Sequence, residues 1–328
     1  MKLGIVGAGM IVNDFFGCIH DCDMELIAIC ATARNEENLK KIVSEHGFKT
    51  YYTDYDEMLK NEEIDTVYIA VPNYLHYRYG LKALNAGKNV IMEKPFSSNY
   101  AQTEKLYDLA KQKDLIIIEA ITTLYLPTYQ QIKEQLKNIG DLKIVTVNFT
   151  QYSSKYDAFK QGIIKPAFDV HMSGGTLMDL NIYNIHFIVD LFGEPDEVSY
   201  LANMEQGVDT SGILTMSYPD FKAVSIAAKD CACPYISALQ GNKGSITFYG
   251  PANFLTGFDL RIIKKGNTAF ERNEKHRMKY EFDKFIEVID KHDTEFADKM
   301  MQESLAVMRV IDKAKKSANI VFEDDSVI

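Results

Sequence analysis

The sequence predicts two domains: an N-terminal doubly wound α/β domain built on a parallel sheet, and a C-terminal α+β domain with a mostly antiparallel, open sheet. Short, continuously apolar strands alternate with helices over the first ~120 residues, as in a parallel sheet covered on both faces. The later strands alternate apolar and polar residues instead. The 328 residues also exceed what one typical core accommodates. We therefore expect domains at 1–122 and 123–328.

In the first domain each predicted strand is followed by a helical pattern. The strands are expected at 3–6, 25–31, 50–52, 66–71, 88–92 and 115–120, and the helices at about 10–20, 35–46, 54–60, 74–85 and 99–113.

In the second domain the half-alternating strands predict an open antiparallel sheet, and Pro127 marks the change of pattern. Strands are expected at 142–152, 197–204, 210–218, 222–229, 244–250 and 259–266, helices at about 175–192, 276–291 and 298–317, and a short tail at the end. The sheet's open face favours a homo-oligomer, either a dimer or a tetramer.

Composition excludes several classes of protein. Lys and Arg number 36 against 46 Asp and Glu, so the net charge of −10 argues against a nucleic-acid surface. No apolar run approaches the ~20 residues of a membrane span, and the N-terminus lacks a signal peptide, so a cytoplasmic location is expected. The five cysteines have no metal-ligand spacing; we expect reduced, mostly buried thiols and no metal site.

The stretch "GIVGAGMIV" predicts a dinucleotide-binding turn of the Rossmann type. Gly7 and Gly9 lie between the first strand and the first helix, where glycine lets the backbone approach a pyrophosphate at the helix N-terminus. The third position of the glycine motif is Val12, which weakens the motif taken alone. Met10 and Ile11, at the start of the helix, are expected to contact the cofactor as well.

The end of the second strand favours NADP(H) over NAD(H). An NAD site usually has a carboxylate there, on the ribose 2′-hydroxyl. This chain has Thr32, Ala33 and Arg34, and its first acids, Glu36 and Glu37, come only in the next helix. A guanidinium attracts a 2′-phosphate. The alternative is that Arg34 is only a solvated loop charge.

Two neighbouring strands end in polar residues. Pro72 and Asn73 follow one strand, and Glu93, Lys94 and Pro95 follow the next. Ligands of doubly wound sheets bind at the carboxyl ends of the strands, so these residues are expected to line the crevice that holds the nicotinamide. The alternative for Glu93 and Lys94 is a charged pair on a surface turn.

The helix expected at 175–192 carries polar groups on one stripe. Asp179, Tyr183 and His186 are spaced i, i+4 and i+7, so they share a face. Each has a structural alternative: Asp179 as a charge at a helix start, Tyr183 as core with a satisfied hydroxyl, and His186 as an interior histidine.

Together these motifs resemble a known family. "GAG", "AVPNYLH" (70–76), "EKP" (93–95) and "GGTLMDLNIY" (174–183) are similar, in order and spacing, to the glucose–fructose oxidoreductase, inositol dehydrogenase and MocA-like (Gfo/Idh/MocA) family, over essentially the whole chain. The resemblance implies an NAD(P)-dependent oxidoreductase that moves a hydride between nicotinamide and a carbinol or carbonyl carbon of a sugar, polyol or diol.

The resemblance also implies roles for individual residues. Lys94 is expected to face the nicotinamide and the substrate oxygen, and Glu93 to hold Lys94 or the cofactor amide. Asp179 is expected to keep Lys94 charged and aligned. His76, the last residue of "AVPNYLH", is expected in the cofactor site.

The chain departs from the family pattern at two positions. Tyr183 replaces a frequent histidine, and Asn181 replaces the usual glycine. This resembles the branch that contains the dihydrodiol dehydrogenases, argues against a standard inositol dehydrogenase, and favours Tyr183 over His186 as the general acid/base. His186 is a candidate substrate contact. Tyr156 and His171, in the loop 153–173, are further candidates, although that loop fits an oligomer contact equally well.

Two rival functions remain open at this point. One is a nucleotide-binding sensor or scaffold of the same fold, which need not retain Lys94, Asp179 and Tyr183 together. The other is an enzyme acting on a non-sugar, such as a dihydrodiol or a small dicarbonyl.

Overall fold

A computed structural model describes residues 1–271 and 275–327 of the chain. The chain divides into two compact units. The first comprises Met1–Ala120 and Met278–Ser304, and the second comprises Ile121–Arg277 and Leu305–Ile328. The first unit thus includes a helical segment that we had expected beside the second sheet. The domain boundary between residues 122 and 123 stays a prediction.

The strands follow the apolar stretches of the sequence closely. They are β1 (Lys2–Val6), β2 (Glu25–Cys30), β3 (Thr50–Tyr52), β4 (Thr66–Ile69), β5 (Asn89–Glu93), β6 (Ile117–Ala120), β7 (Leu142–Thr150), β8 (Glu197–Glu205), β9 (Val208–Ser217), β10 (Lys222–Ala228), β11 (Ile236–Gly241), β12 (Gly244–Tyr249), β13 (Gly257–Ile262) and β14 (Gly266–Glu271).

The helices are α1 (Met10–Phe15), α2 (Glu36–His46), α3 (Tyr55–Leu59), α4 (His76–Asn85), α5 (Tyr100–Gln112), α6 (Pro127–Gln135), α7 (Tyr156–Lys160), α8 (Ile182–Phe192), α9 (Arg277–Asp290) and α10 (Thr294–Ser317). A π-helical turn, Leu177–Asn181, leads directly into α8.

The first unit contains the predicted doubly wound parallel sheet. Its strand order is β3-β2-β1-β4-β5-β6, and every described pair in it is parallel. The order reverses between β1 and β4, and ligands of such sheets bind outside the carboxyl ends of the strands at this point. The Gly7–Gly9 turn follows β1, and the segment 70–73 follows β4.

Helix α9 belongs to the core of the first unit because its apolar face covers the sheet. Phe282 stacks on Phe15 of α1, with ring centroids 3.8 Å apart, and meets the edge of Tyr68 from β4 at 5.2 Å. All three rings are buried completely. Their contacts bring α9, which lies far away in sequence, onto the β1–α1–β4 region.

The second unit contains the predicted mostly antiparallel sheet, with the order β14-β13-β12-β11-β7-β10-β9-β8. The β7–β10 pair is its parallel pair within the described register. One face packs against the helix formed by the π turn and α8, whose residues from Ile182 to Val189 are all buried. The fold class expected from the sequence is therefore confirmed.

Several elements differ from the sequence prediction. Helix α1 ends at Phe15, before Gly17, rather than near residue 20. Pro127 begins α6 instead of only breaking the pattern, because proline suits the first turn of a helix. Helix α7 and strands β11 and β14 were not predicted; β14 is almost entirely exposed, so it has no apolar pattern to find.

Within residues 1–271 and 275–327, no helix is both long enough and apolar enough to cross a membrane. The expected cytoplasmic location stays a prediction.

Candidate active site

The glycine turn at the end of β1 is required by the backbone. Gly7 has φ +119°, and a Cβ built there lies 2.1 Å from the carbonyl oxygen of Ala70. Gly9 caps α1 in an extended conformation, and a Cβ there meets no atom within 4 Å. Met10, the first residue of α1, is 71% exposed, and Ile11 is half-buried. The turn is therefore tight on the β4 side and open at the helix N-terminus.

The tip after β2 presents an exposed cation. Thr32 and Arg34 are both exposed, and within the described chain the Arg34 guanidinium makes no hydrogen bond or ion pair. The nearest acids are already engaged: Glu36 lies 3.3 Å and Glu37 2.7 Å from the Lys40 ammonium. The tip therefore offers a positive charge to a ligand, and its acids are partly neutralised.

The Glu93 carboxylate fixes the turn that follows β5. One oxygen accepts a hydrogen bond from the Tyr68 hydroxyl on the neighbouring strand. The other oxygen accepts from the backbone N–H of Lys94 at 3.1 Å. Glu93 is 6% exposed and Lys94 is half-buried. The carboxylate thus holds Lys94 by its backbone at the carboxyl end of the strand. The expected role of Glu93 toward the Lys94 side chain or the cofactor amide stays a prediction.

His76 fastens the ends of β4 and β5 to each other. Its Nδ1 lies 2.8 Å from the carbonyl oxygen of Pro95, and its Nε2 lies 2.9 Å from that of Val71. Burial lowers the pKa of His76, against the opposing effect of the hydrogen bonds to both carbonyls. Both nitrogens face backbone carbonyls next to the predicted cofactor residue Pro72 and at the Lys94–Pro95 turn; the expected contact of His76 with the cofactor stays a prediction.

Glu119, on β6, is a support that the sequence analysis missed. It is 2% exposed and accepts hydrogen bonds from the Phe96 N–H at 2.9 Å and the Ser304 hydroxyl at 2.6 Å. The signal was present, since a carboxylate inside an otherwise apolar strand needs a buried partner.

In the second unit, Asp209 of β9 anchors the helix that carries the other candidates. Its carboxylate accepts from the Leu177 N–H at 2.7 Å and from the Tyr200 hydroxyl at 2.8 Å. Gly175, with φ +114°, lies so close that a Cβ there would be 2.0 Å from Asp209 Oδ1. Burial raises the pKa of Asp209 to about 6, and the charge of Lys229 opposes that shift.

The first turn of this helix is wider than an α-helix. Residues Leu177–Asn181 form a π turn, a feature frequently found at functional sites. Burial rises along the predicted stripe: the Asp179 side chain is 31% exposed, whereas Tyr183 is 5% and His186 0% exposed. The exposed end of the stripe is therefore Asp179.

The Asp179 carboxylate pairs with a lysine that the sequence analysis overlooked. Lys229, directly after β10, is 2% exposed, and its Nζ lies 2.9 Å from Asp179 Oδ2. The same ammonium donates to the Ala167 carbonyl and lies 4.2 Å from the Phe168 ring centroid. Lysine is almost never fully buried unless it is paired, so a lysine at the end of an apolar strand carries no local signal of this pair. The expected support of Lys94 by Asp179 stays a prediction.

The two candidate substrate residues of the loop 153–173 have protein partners. The Tyr156 hydroxyl donates to Glu205 at 2.7 Å, which raises the pKa of Tyr156 to about 12. The Tyr156 ring packs with Phe159 and Phe168. His171 is exposed and lies 2.8 Å from the Glu323 carboxylate of the C-terminal segment. Their assignment to substrate binding stays a prediction. Within the described residues, no group of three His, Cys, Asp or Glu is arranged to hold a metal.

Comparison with protein-family models finds two matches along the chain. Residues 1–121 match the GFO/IDH/MocA model described as an oxidoreductase family with an NAD-binding Rossmann fold. Residues 129–249 match a GFO/IDH/MocA C-terminal domain.

Curated relatives cover the chain nearly end to end. The chain is 32% identical over 332 residues to scyllo-inositol 2-dehydrogenase (NADP(+)) IolU of Bacillus subtilis, covering 99% of both chains. It is 25% identical over 342 residues to trans-1,2-dihydrobenzene-1,2-diol dehydrogenase of Danio rerio, again covering 99% of each. The expected likeness to dihydrodiol dehydrogenases is thus confirmed, although an inositol dehydrogenase is also among the relatives.

Solved structures share the fold. A 3-ketoreductase from Actinomadura kijaniata, crystallised with NADP and TDP-benzene, matches with a TM-score of 0.82 at 18% identity, covering 97% of each chain. An aldose–aldose oxidoreductase from Caulobacter crescentus, complexed with glycerol, gives the same values. The glycine turn, the Glu93–Lys94–Pro95 turn, the two-sheet fold and these relatives lead to one conclusion: the chain belongs to the GFO/IDH/MocA oxidoreductase family.

Proposed function

We propose that this protein is an NADP(H)-dependent oxidoreductase that interconverts a ring hydroxyl and the corresponding ketone on a cyclic polyol or vicinal diol. The observation that carries the proposal is the turn after β5, where the buried Glu93 carboxylate holds Lys94 by its backbone N–H. A lysine whose backbone is held at the carboxyl end of β5, next to the β4 strand at which the strand order reverses, is suited to present its ammonium to a developing alkoxide.

The residues of the glycine turn fit a dinucleotide. Gly9 faces open space and Met10 is 71% exposed, which leaves the start of α1 accessible to a pyrophosphate. Gly7 and Gly9, with Met10 and Ile11, would hold that group, and Pro72 and Asn73 would border the nicotinamide. The bound cofactor supplies or accepts the hydride, and the protein orients the reactants and handles the proton.

Arg34 supports the preference for the phosphorylated cofactor. Its exposed guanidinium has no protein partner within the described chain, and a planar donor fork suits a 2′-phosphate. Glu36 and Glu37 are paired with Lys40, which weakens their repulsion of that phosphate. We expect tighter binding of NADPH than of NADH, and Arg34→Asp to reverse the order. Fluorescence titration of both cofactors measures this, and tighter NADH binding by the unmodified protein would contradict it.

The substrate class follows from what the relatives' names share. Scyllo-inositol and trans-1,2-dihydrobenzene-1,2-diol are both six-membered carbocycles with hydroxyls on neighbouring carbons. We infer that this protein accepts a compound of that kind. In the oxidative direction Lys94 would stabilise the alkoxide that forms as Tyr183 takes the hydroxyl proton; in reduction Tyr183 would return that proton.

The experiment is NADP⁺ reduction against a matched panel. It comprises scyllo-inositol, trans- and cis-cyclohexane-1,2-diol, cyclohexanol and an open-chain polyol. We expect turnover of ring compounds with adjacent trans hydroxyls, and little with cyclohexanol. Cofactor binding without turnover of any member would instead favour the sensor or scaffold alternative. A dicarbonyl is assayed separately by NADPH oxidation, and turnover of that compound alone would move the substrate class.

We also infer that the protein is a homo-oligomer. On the second sheet Leu201 of β8 pairs with Ile213 of β9, which pairs with Ile226 of β10. Leu201 is 66% and Ile213 43% exposed, so this aliphatic row faces outward. A dimer or tetramer is expected by light scattering, and Leu201→Lys with Ile213→Lys should shift it toward monomer.

A further inference from the structure

Lys229 is a buried ammonium whose partner is a candidate active-site carboxylate. We propose that Lys229 is a positioning residue for the reaction: it fixes the orientation and charge of Asp179 without touching substrate. The inference rests on the proposed function, because it assigns Asp179 a part in turnover. Its physical basis lies wholly within the second unit.

The burial of Lys229 excludes a direct contact with substrate. The residue is 2% exposed, and three protein groups surround its ammonium: the Asp179 carboxylate at 2.9 Å, the Ala167 carbonyl and the Phe168 ring. A primary ammonium has three N–H donors, so these contacts account for its bonding capacity. Lys229 can therefore influence a reaction only through Asp179 or through the fold.

Stability alone is a weak reason to bury this charge. Desolvating a lysine is costly, and an apolar side chain of similar volume against Phe168 would often be as stabilising as the ion pair. The two partners differ in solvent exposure: the Lys229 side chain is buried, whereas the Asp179 side chain is 31% exposed. The Asp179 carboxylate is therefore fixed by a buried ammonium and remains accessible to a group outside the pair.

Hydrogen bonds to Thr210 and Asp209 fix Lys229 and the start of the helix relative to each other. The backbone N–H of Lys229 donates to the Thr210 carbonyl at 2.8 Å, next to Asp209. Asp209 in turn accepts from the N–H of Leu177, the first residue of the π turn, at 2.7 Å. Asp209 of β9 and Lys229 after β10 therefore both contact the π turn. Of these two contacts, the one made by Lys229 is to the side chain of Asp179, a candidate active-site residue.

The test compares four variants with wild type: Lys229→Met, Lys229→Arg, Asp179→Asn and the double variant Asp179→Asn/Lys229→Met. The unit offers a matched control in Lys315, which is 4% exposed, lies 2.5 Å from Asp325 and sits 4.4 Å from the Phe322 ring centroid. Lys315→Met removes the same kind of buried pair from the C-terminal segment. The assays are steady-state turnover of the best ring substrate, NADPH titration and thermal unfolding.

We expect Lys229→Met to lower kcat by about 10- to 100-fold, the scale of a misplaced active-site group. NADPH affinity should stay within about two-fold of wild type, since the dinucleotide residues lie in the first unit. Lys229→Arg should recover most of the rate because the charge is retained. Lys315→Met should melt at a lower temperature yet keep the wild-type kcat, which separates lost stability from lost positioning.

The double variant keeps the proposal falsifiable even if Lys229→Met does not fold, because it leaves no unpaired charge. Since Lys229 acts only through Asp179, the double variant should be no slower than Asp179→Asn. Additive losses, a wild-type kcat in Lys229→Met, or an equal loss in Lys315→Met would each overturn the proposal.

Thermal unfolding separates this inference from the proposed function. The destabilisation caused by Lys229→Met should be partly relieved when Asp179→Asn is added, whatever the substrate. Absence of that coupling overturns the inference. If this coupling is observed but the protein turns over no member of the panel, the proposed function is wrong and the Lys229–Asp179 pair only stabilises the fold.

Discussion

Gly7 and Gly9 are two residues apart in the same turn, yet the structure predicts opposite consequences for the same substitution. Gly7→Ala places a Cβ 2.1 Å from the Ala70 carbonyl oxygen, where real Cβ contacts are not shorter than 3.0 Å. Both sides of this clash are fixed. The Gly7 N–H donates to Cys30 at 2.8 Å, and the Ala70 N–H donates to Val6 at 2.8 Å.

The cost of Gly7→Ala has two parts. A backbone with φ +119° costs a residue other than glycine about 1–3 kcal/mol. Forcing β1 and β4 apart to admit the methyl group adds about 1–3 kcal/mol. We expect a loss of roughly 2–6 kcal/mol, because the strain and the overpacking occur together. This should lower the melting temperature by several degrees and reduce the urea midpoint.

Gly9→Ala is the matched control. Gly9 has φ −87°, and its Cβ meets no atom within 4 Å, so folding should be unchanged. The methyl group would occupy the approach of the pyrophosphate instead, and we expect NADPH to bind about 10-fold more weakly, a change of about 1.4 kcal/mol. A Gly7→Ala protein that melts like wild type would refute the steric argument. A Gly9→Ala protein with wild-type NADPH affinity would refute the assignment of the turn to the cofactor.

The remaining predictions concern candidate residues of each unit. Lys94→Met should cut kcat at least ~10²-fold and change cofactor affinity far less. Near-normal turnover would show that Lys94 is only a surface charge. Tyr183→Phe should lower kcat by about 10²-fold and abolish one limb of the pH–rate profile, whereas His186→Ala should keep that limb; the reverse result makes His186 the proton donor. Folding raises the pKa of Asp209 to about 6, above its usual ~3.9. Between these two pH values the folded protein therefore keeps a proton that the unfolded chain has released. Wild-type stability relative to Asp209→Asn should therefore fall as the pH rises from about 4 to about 6, as urea titrations at several pH values would reveal.

Most helices and strands could be predicted from the sequence because their signals are local. Short apolar strands such as β4 and β5 are buried on both faces, so their composition alone marks them. Strand β14 had no such signal, since pairing with β13, rather than burial, holds it in the sheet. Helix α9 was found, but the contact of Phe282 with Phe15 that places it in the first unit joins residues far apart in sequence.

The candidate site divides in the same way. The glycine turn, Glu93, Lys94, Asp179 and Tyr183 were proposed from motifs, in which the order and spacing of residues carry the information. The partners that hold them carry no motif. Tyr68 and Lys229 belong to other strands, and their roles exist only once the sheets have formed.

What the sequence determined by itself was the fold class, the family and the position of the glycine turn after β1, because hydrophobic period and glycine placement act over a few residues. The tertiary structure decided which charges are buried and what they pair with. In the folded protein Glu93 accepts hydrogen bonds from Tyr68 and from the Lys94 backbone. Lys229, at the end of a strand, pairs with Asp179. The reason is physical: a charge may be buried only where a partner meets it, and that partner comes from a distant part of the chain.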